Sequence, residues 1–99
     1  MERTCKIPIS RGRFAIVDNE DFQVLKKYYW RAVKSHSNFY AVRRIIREGK
    51  TITQRMHRII AKTPADMQCH HENHNTLDNR RENLSNMTEQ EHSYIHGWR

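Results

Sequence analysis

The chain has 99 residues, a formal net charge of +7, and 36% hydrophobic against 29% charged residues. That length suits one compact domain or two very small units sharing a core, and the aromatic, Ile and Val content argues against disorder. No apolar run approaches the roughly 18 residues needed to span a bilayer, and the opening MERTCKIPIS lacks the apolar core of a signal peptide, so no membrane partner and a cytoplasmic setting are expected.

In chain order, residues 13–18 (RFAIVD) predict a short strand and residues 18–30 (DNEDFQVLKKYYW) a helix. Asp18 or Asn19 is its expected cap, acids fill its first turn, and Phe22, Leu25 and Tyr28 or Tyr29 repeat at helical spacing. Trp30 is expected to close the core. Residues 31–34 and 39–47 predict two strands around a polar turn at 35–38. A turn at Glu48, Gly49 and Lys50 then leads to a third strand at 51–54. Met56, Ile59 and Ile60 favour a short helix over 55–62, ended near Pro64.

After Ala65 the texture changes. Residues 67–70 read as a strand, 73–79 as a polar loop, 80–84 as a helical turn and 84–87 as a return strand. Thr88-Glu89-Gln90-Glu91 has the capping-box pattern and opens a last helix running to about His96, with Gly97 as its stop. The expectation is an α+β fold. Residues 1–63 form a small unit with a three-stranded antiparallel sheet, and residues 64–99 follow as strand, loop, strand, helix, both within one compact body.

Charge divides along the same line. Residues 1–63 hold 15 Lys/Arg against 5 Asp/Glu, and residues 64–99 hold 3 against 6. Five of the seven histidines lie in the second stretch. A basic half suits a polyphosphate partner, and a His-rich, mildly acidic half suits a metal. Strand alternation places Arg43 and Arg47 on one side and Tyr40, Arg44 and Ile46 on the other, so cations project from both faces. A basic sheet or ribbon of this kind can follow a DNA groove. Cys5 and Cys69 form no CxxC pair, which argues against a zinc knuckle.

The residues that carry chemistry are His70, His71, Asn83, His92 and His96. His92 and His96 stand four apart on the expected last helix and share one face, so the pair can grip a metal ion. His70 and His71 lie on an extended segment and point to opposite faces, one for the metal and one for a water or substrate. Three imidazoles leave coordination positions open, as a catalytic metal requires. His57 reads as a packing or hydrogen-bonding residue, His36 as a turn residue, and His74 as either a phosphate contact or a loop residue. Asn73, Asn75 and Asn79 suit loop backbone satisfaction, with Asn79 and Arg80 also placed to reach DNA.

The stretch CHHENHNTLDNRRENLSNMTEQEH resembles the HNH nucleases of the ββα-metal fold, and NHNTLDNRRENL looks especially like phage-encoded members. FAIVDNED, the Tyr40-Ala41-Val42-Arg43 strand and Met56-His57-Arg58 resemble the unit that often precedes this module, so the likeness covers about residues 8–96. The resemblance implies that His71 is the general base, that Asn83 pins the loop through backbone hydrogen bonds, and that His92 is a metal position. His70 stands where many phage members have Asp. Toxin nucleases of the same class use His there and carry a further histidine where this chain has His96. The implied activity is hydrolysis of DNA phosphodiester bonds, nicking one strand per site, by a monomer or weak homodimer in a bacterial or phage-infected cell. The implied cofactor is one divalent ion (Mg, Mn, Zn, Ni or Co), held by His70, His92 and His96, with Arg43, Arg44, Arg47 and Arg80 on the DNA. The competing reading is a non-catalytic DNA-binding protein with a structural metal.

Overall fold

A computed structural model describes residues 3–91. Within them the chain is an α+β protein with seven strands in three small antiparallel sheets. Strand β1 (Thr4–Pro8) pairs with β2 (Phe14–Asp18) in the register Thr4↔Asp18 to Pro8↔Phe14. The sequence predicts no strand at β1, because the period-2 signal there is only Cys5 and Ile7, and Pro8 ends it. Arg11 and Gly12 turn the hairpin with φ of 66° and 69°.

Helix α1 (Asn19–Leu25) is shorter than the expected 18–30. The indole N–H of Trp30 donates to the Leu25 carbonyl at 2.9 Å, so a buried side chain takes up the helix's last carbonyl where another turn would have continued. Asp18 occupies the N-cap position, but its side chain makes no cap hydrogen bond. Its carboxylate accepts the backbone N–H of Arg81 at 2.9 Å instead.

Strands β3 (Arg31–Ser35), β4 (Asn38–Arg47) and β5 (Lys50–Arg55) form the meander expected from the sequence. The β4–β5 turn is two residues long, with positive φ at Glu48 (53°) and Gly49 (75°), the backbone that matches strand twist in tight hairpins. The pairing of β3 with β4 stops at Arg31↔Val42, whereas β4 and β5 pair on to Arg47↔Lys50. The hairpin from Arg43 to Gln54 therefore continues as a two-stranded ribbon past the edge of β3.

Helix α2 (Met56–Ala61) ends at Lys62, whose left-handed φ of 52° lets its N–H and that of Thr63 close on carbonyls of the last turn. Strands β6 (Met67–His71) and β7 (Leu84–Thr88) pair in the register His70↔Ser85, His71↔Leu84. After β7, residues 89–91 are helical. Thr88 and Glu91 make the reciprocal capping box: Thr88 N–H donates to Glu91 Oε1 at 2.9 Å, and Glu91 N–H to Thr88 Oγ1 at 3.1 Å. The expected continuation of the helix to about His96, with His92 and His96, lies outside the described residues.

The core gathers Ile7, Ile9, Ala15, Val17, Leu25, Trp30, Ala32, Ala41 and Met56, with Leu77 packed against it. Leu77 belongs to the long loop between β6 and β7, so the second half of the chain shares the core of the first. That loop docks along the free edge of β2. Ile16 N–H donates to Leu77 O at 2.8 Å, and Asn79 N–H to Ile16 O at 2.7 Å.

Candidate active site

His71 is the last residue of β6, and the chain turns directly after it, with His74 N–H donating to His71 O at 3.0 Å. The turn opens a cleft of about 310 Å3 lined by Asn38, Tyr40, Cys69, His70, His71, His74 and Thr76. Both His70 and His71 line this cleft. The rings of His70 and His74 meet edge-on, with centroids 5.6 Å apart. On the other side His71 packs against His57 at 4.9 Å and Tyr40 at 6.3 Å.

His71 is 6% exposed, and its Nε2 lies 2.9 Å from Asn79 Oδ1. Burial lowers its pKa, opposed by the Asn79 hydrogen bond and the charge of Asp78, so the ring is neutral near pH 7. His57, also buried, is pushed down to about 3 by desolvation first, then by His71, Arg55 and Arg58. Neutral imidazole is the form that can take a proton.

The loop after His71 is held by side-chain amides. Asn83 Oδ1 accepts the N–H of Asn73 at 3.0 Å, while Asn83 Nδ2 donates to Asn73 Oδ1 at 2.9 Å and to the Asp78 carbonyl at 2.8 Å. The Asn83 backbone adds a bond, its carbonyl accepting Glu72 N–H at 2.8 Å. Asn73 and Asn75 each accept a backbone N–H two residues on, the Asx-turn habit of asparagine. Asp78 is buried beside this amide cluster and takes Arg80 in a two-point pair, Nε to Oδ1 at 2.7 Å and Nη2 to Oδ2 at 2.8 Å. That pair depresses the Asp78 carboxyl below its usual range.

Arg80, expected at DNA, is therefore committed to Asp78 and also to Glu82. Arg43 is tied as well: its guanidinium stacks on Tyr28 at 3.8 Å, and its Nε donates to Gln54 at 3.0 Å. Arg44 and Arg47 are exposed on the ribbon beyond β3. Between residues 43 and 54 the cations Arg43, Arg44, Arg47 and Lys50 face a single acid, Glu48. Arg47 and Lys50 stand directly across from each other, an unfavourable like-charge pair that a polyanion would relieve.

Among the described residues no group of three or more His, Cys, Asp or Glu is placed to hold a metal ion. Two imidazoles, His70 and His74, share the cleft, and their nitrogen donors suit a transition metal. Tyr40 and His57 form part of the site with no chemical task predicted from the sequence, whereas His74 is expected as a phosphate contact or loop residue and Asn79 as a loop residue also placed to reach DNA. His57, expected as a packing or hydrogen-bonding residue, packs against His71. The contact between His71 and Asn79 spans eight residues of loop and follows no periodicity.

Searches of protein-family models, of curated proteins and of solved structures match nothing to this chain.

Proposed function

We propose that the protein is a metal-dependent DNA endonuclease of the HNH type, cutting one strand per site. The observation that carries this reading is His71: a buried, neutral imidazole at a strand end, opening onto a cleft it shares with His70 and His74, beside a loop pinned by Asn83. His71 accepts a proton from the water that attacks phosphorus. Asn83 keeps the strand-to-loop turn in one shape, so the imidazole is placed before substrate arrives.

His70, with His92 and His96 of the last helix expected from the sequence, would hold one divalent ion, and His74 stands beside His70 as a further donor. A bound ion supplies charge stabilisation at the phosphoryl group and the departing 3′ oxygen. Arg44 and Arg47 hold the duplex by its phosphates, and the ribbon that carries them has the two-stranded form that a major groove admits.

The test is nicking of supercoiled plasmid by purified protein across Mg, Mn, Co, Ni and Zn, with chelator as control. Conversion of supercoiled to open-circular DNA, abolished by chelator and by His71→Ala, supports the reading. Absence of cleavage with every ion overturns it.

A further inference from the structure

We propose that Asn79 is a positioning residue for His71: its side-chain carbonyl fixes the imidazole with its proton on Nε2 and leaves Nδ1 as the basic nitrogen. The task of Nδ1 rests on the nuclease reading, and the identity of the nitrogen rests on geometry. Asn79 Oδ1 lies 2.9 Å from His71 Nε2. A carbonyl oxygen only accepts, so this bond requires the hydrogen of a neutral ring to sit on Nε2. No described residue hydrogen-bonds Nδ1, and the ring lines the cleft with His70 and His74.

Asn79 is itself held rigidly. It is 1% exposed, and its N–H is bound to the Ile16 carbonyl of β2 at 2.7 Å. The preceding carbonyl, that of Asp78, accepts from Asn83 Nδ2 at 2.8 Å. Its own Nδ2 is buried with no hydrogen-bond partner among the described residues. An unpaired buried donor is unfavourable. Turned over, the amide would donate from Nδ2 to an unprotonated Nε2 and leave the buried Oδ1 orphaned instead, with the ring proton on Nδ1, an arrangement that the spectra below distinguish. Among the described residues the side chain thus makes a single hydrogen bond, and that bond is to His71.

Long-range 1H–15N spectra of the full chain near neutral pH separate protonated from unprotonated ring nitrogens. The wild type is expected to show His71 with its proton on Nε2. Asn79→Ala is expected to release the ring into a mixture of tautomers and to lower kcat for plasmid nicking about 10–100-fold with KM little changed. Asn79→Asp keeps an acceptor in place and is expected to retain the Nε2 proton and most of the activity. A wild-type proton on Nδ1 overturns the proposal, as does Asn79→Ala with both tautomer and kcat unchanged. Should Asn79→Ala fail to fold, judged by circular dichroism, the wild-type spectrum and Asn79→Asp still decide. A wild type with the Nε2 proton that cuts no DNA overturns the nuclease reading and leaves the orienting bond established.

Discussion

The imidazole rings of His57 and His71 lie 4.9 Å apart, tilted by 45°, with the ring of Tyr40 against both. Two neighbouring rings in a buried site cannot both be charged without large cost, and burial already disfavours the first proton. His57 titrates near 3 in the folded protein and at about 6.5 in an unfolded chain. Between those values the unfolded state holds the extra proton, so the stability from this group is complete above the upper value and is lost as pH falls toward the lower. The slope for one such group approaches about 1.4 kcal/mol per pH unit, and His71, also lowered, adds in the same direction. Urea midpoints measured between about pH 7 and 4 are expected to fall steadily with acid. His57→Gln is expected to flatten that curve, and an unchanged slope would remove His57 from the effect.

Replacing His71 with Ala is expected to reduce cleavage about 10²–10⁴-fold, the usual contribution of a general base, with metal and DNA binding retained. His70→Ala, His92→Ala and His96→Ala are expected to do the converse: each weakens metal binding in calorimetric titration. Metal affinity lost in His71→Ala and kept in His70→Ala would exchange their roles.

Asn83→Ala removes the acceptor for Asn73 N–H and the donors to Asn73 Oδ1 and the Asp78 carbonyl together. An unpaired buried partner costs about 1–3 kcal/mol, so a lowered urea midpoint and lowered activity are both expected. Asn83→Asp keeps the acceptor but loses the donor opposite Asp78 O, and is expected to fall between the two. Full stability in Asn83→Ala would mean that the loop is held by its remaining bonds.

The arginines separate into two classes. Neutralising Arg44 and Arg47 to Gln is expected to flatten the dependence of log K on log salt for DNA by roughly 0.9 per lost phosphate contact. Arg80→Gln strips Asp78 of its two-point partner and is expected to lower thermal stability while leaving the salt slope near wild type. A salt slope that responds to Arg80 and ignores Arg44 and Arg47 would move the DNA from the ribbon to the loop.

The meander, α2 and the β6–β7 pair were legible because each has its own periodicity or turn residue: Glu48-Gly49 for the hairpin, Met56, Ile59 and Ile60 for α2, and Thr88 with Glu91 for the final cap. The contacts that gather the site were not legible in the same way. Strand β1 shows only two alternating apolar residues and borrows its stability from β2. The early end of α1 depends on Trp30 folding back to Leu25, and the sharing of one cleft by His70 and His71 depends on the turn at His74. Residue types announced Asn83 and Arg80 equally, yet the structure hands Arg80 a buried carboxylate that no spacing rule anticipates.

The pairing of Ile16 with Leu77 and Asn79 bears on how such a molecule can be rearranged. The loop between β6 and β7 borrows a backbone donor and acceptor from a strand some sixty residues earlier, a carboxylate from Asp18 and a carbonyl from Phe39. Residues 64–99 are consequently no transplantable cassette. Fused to a foreign scaffold, they would present Asn79 and Asn83 on a loop without its mooring, and Asn79 would have no strand to hang from. Recombination that preserves this chemistry must carry both halves together or supply a bare strand edge in the same register.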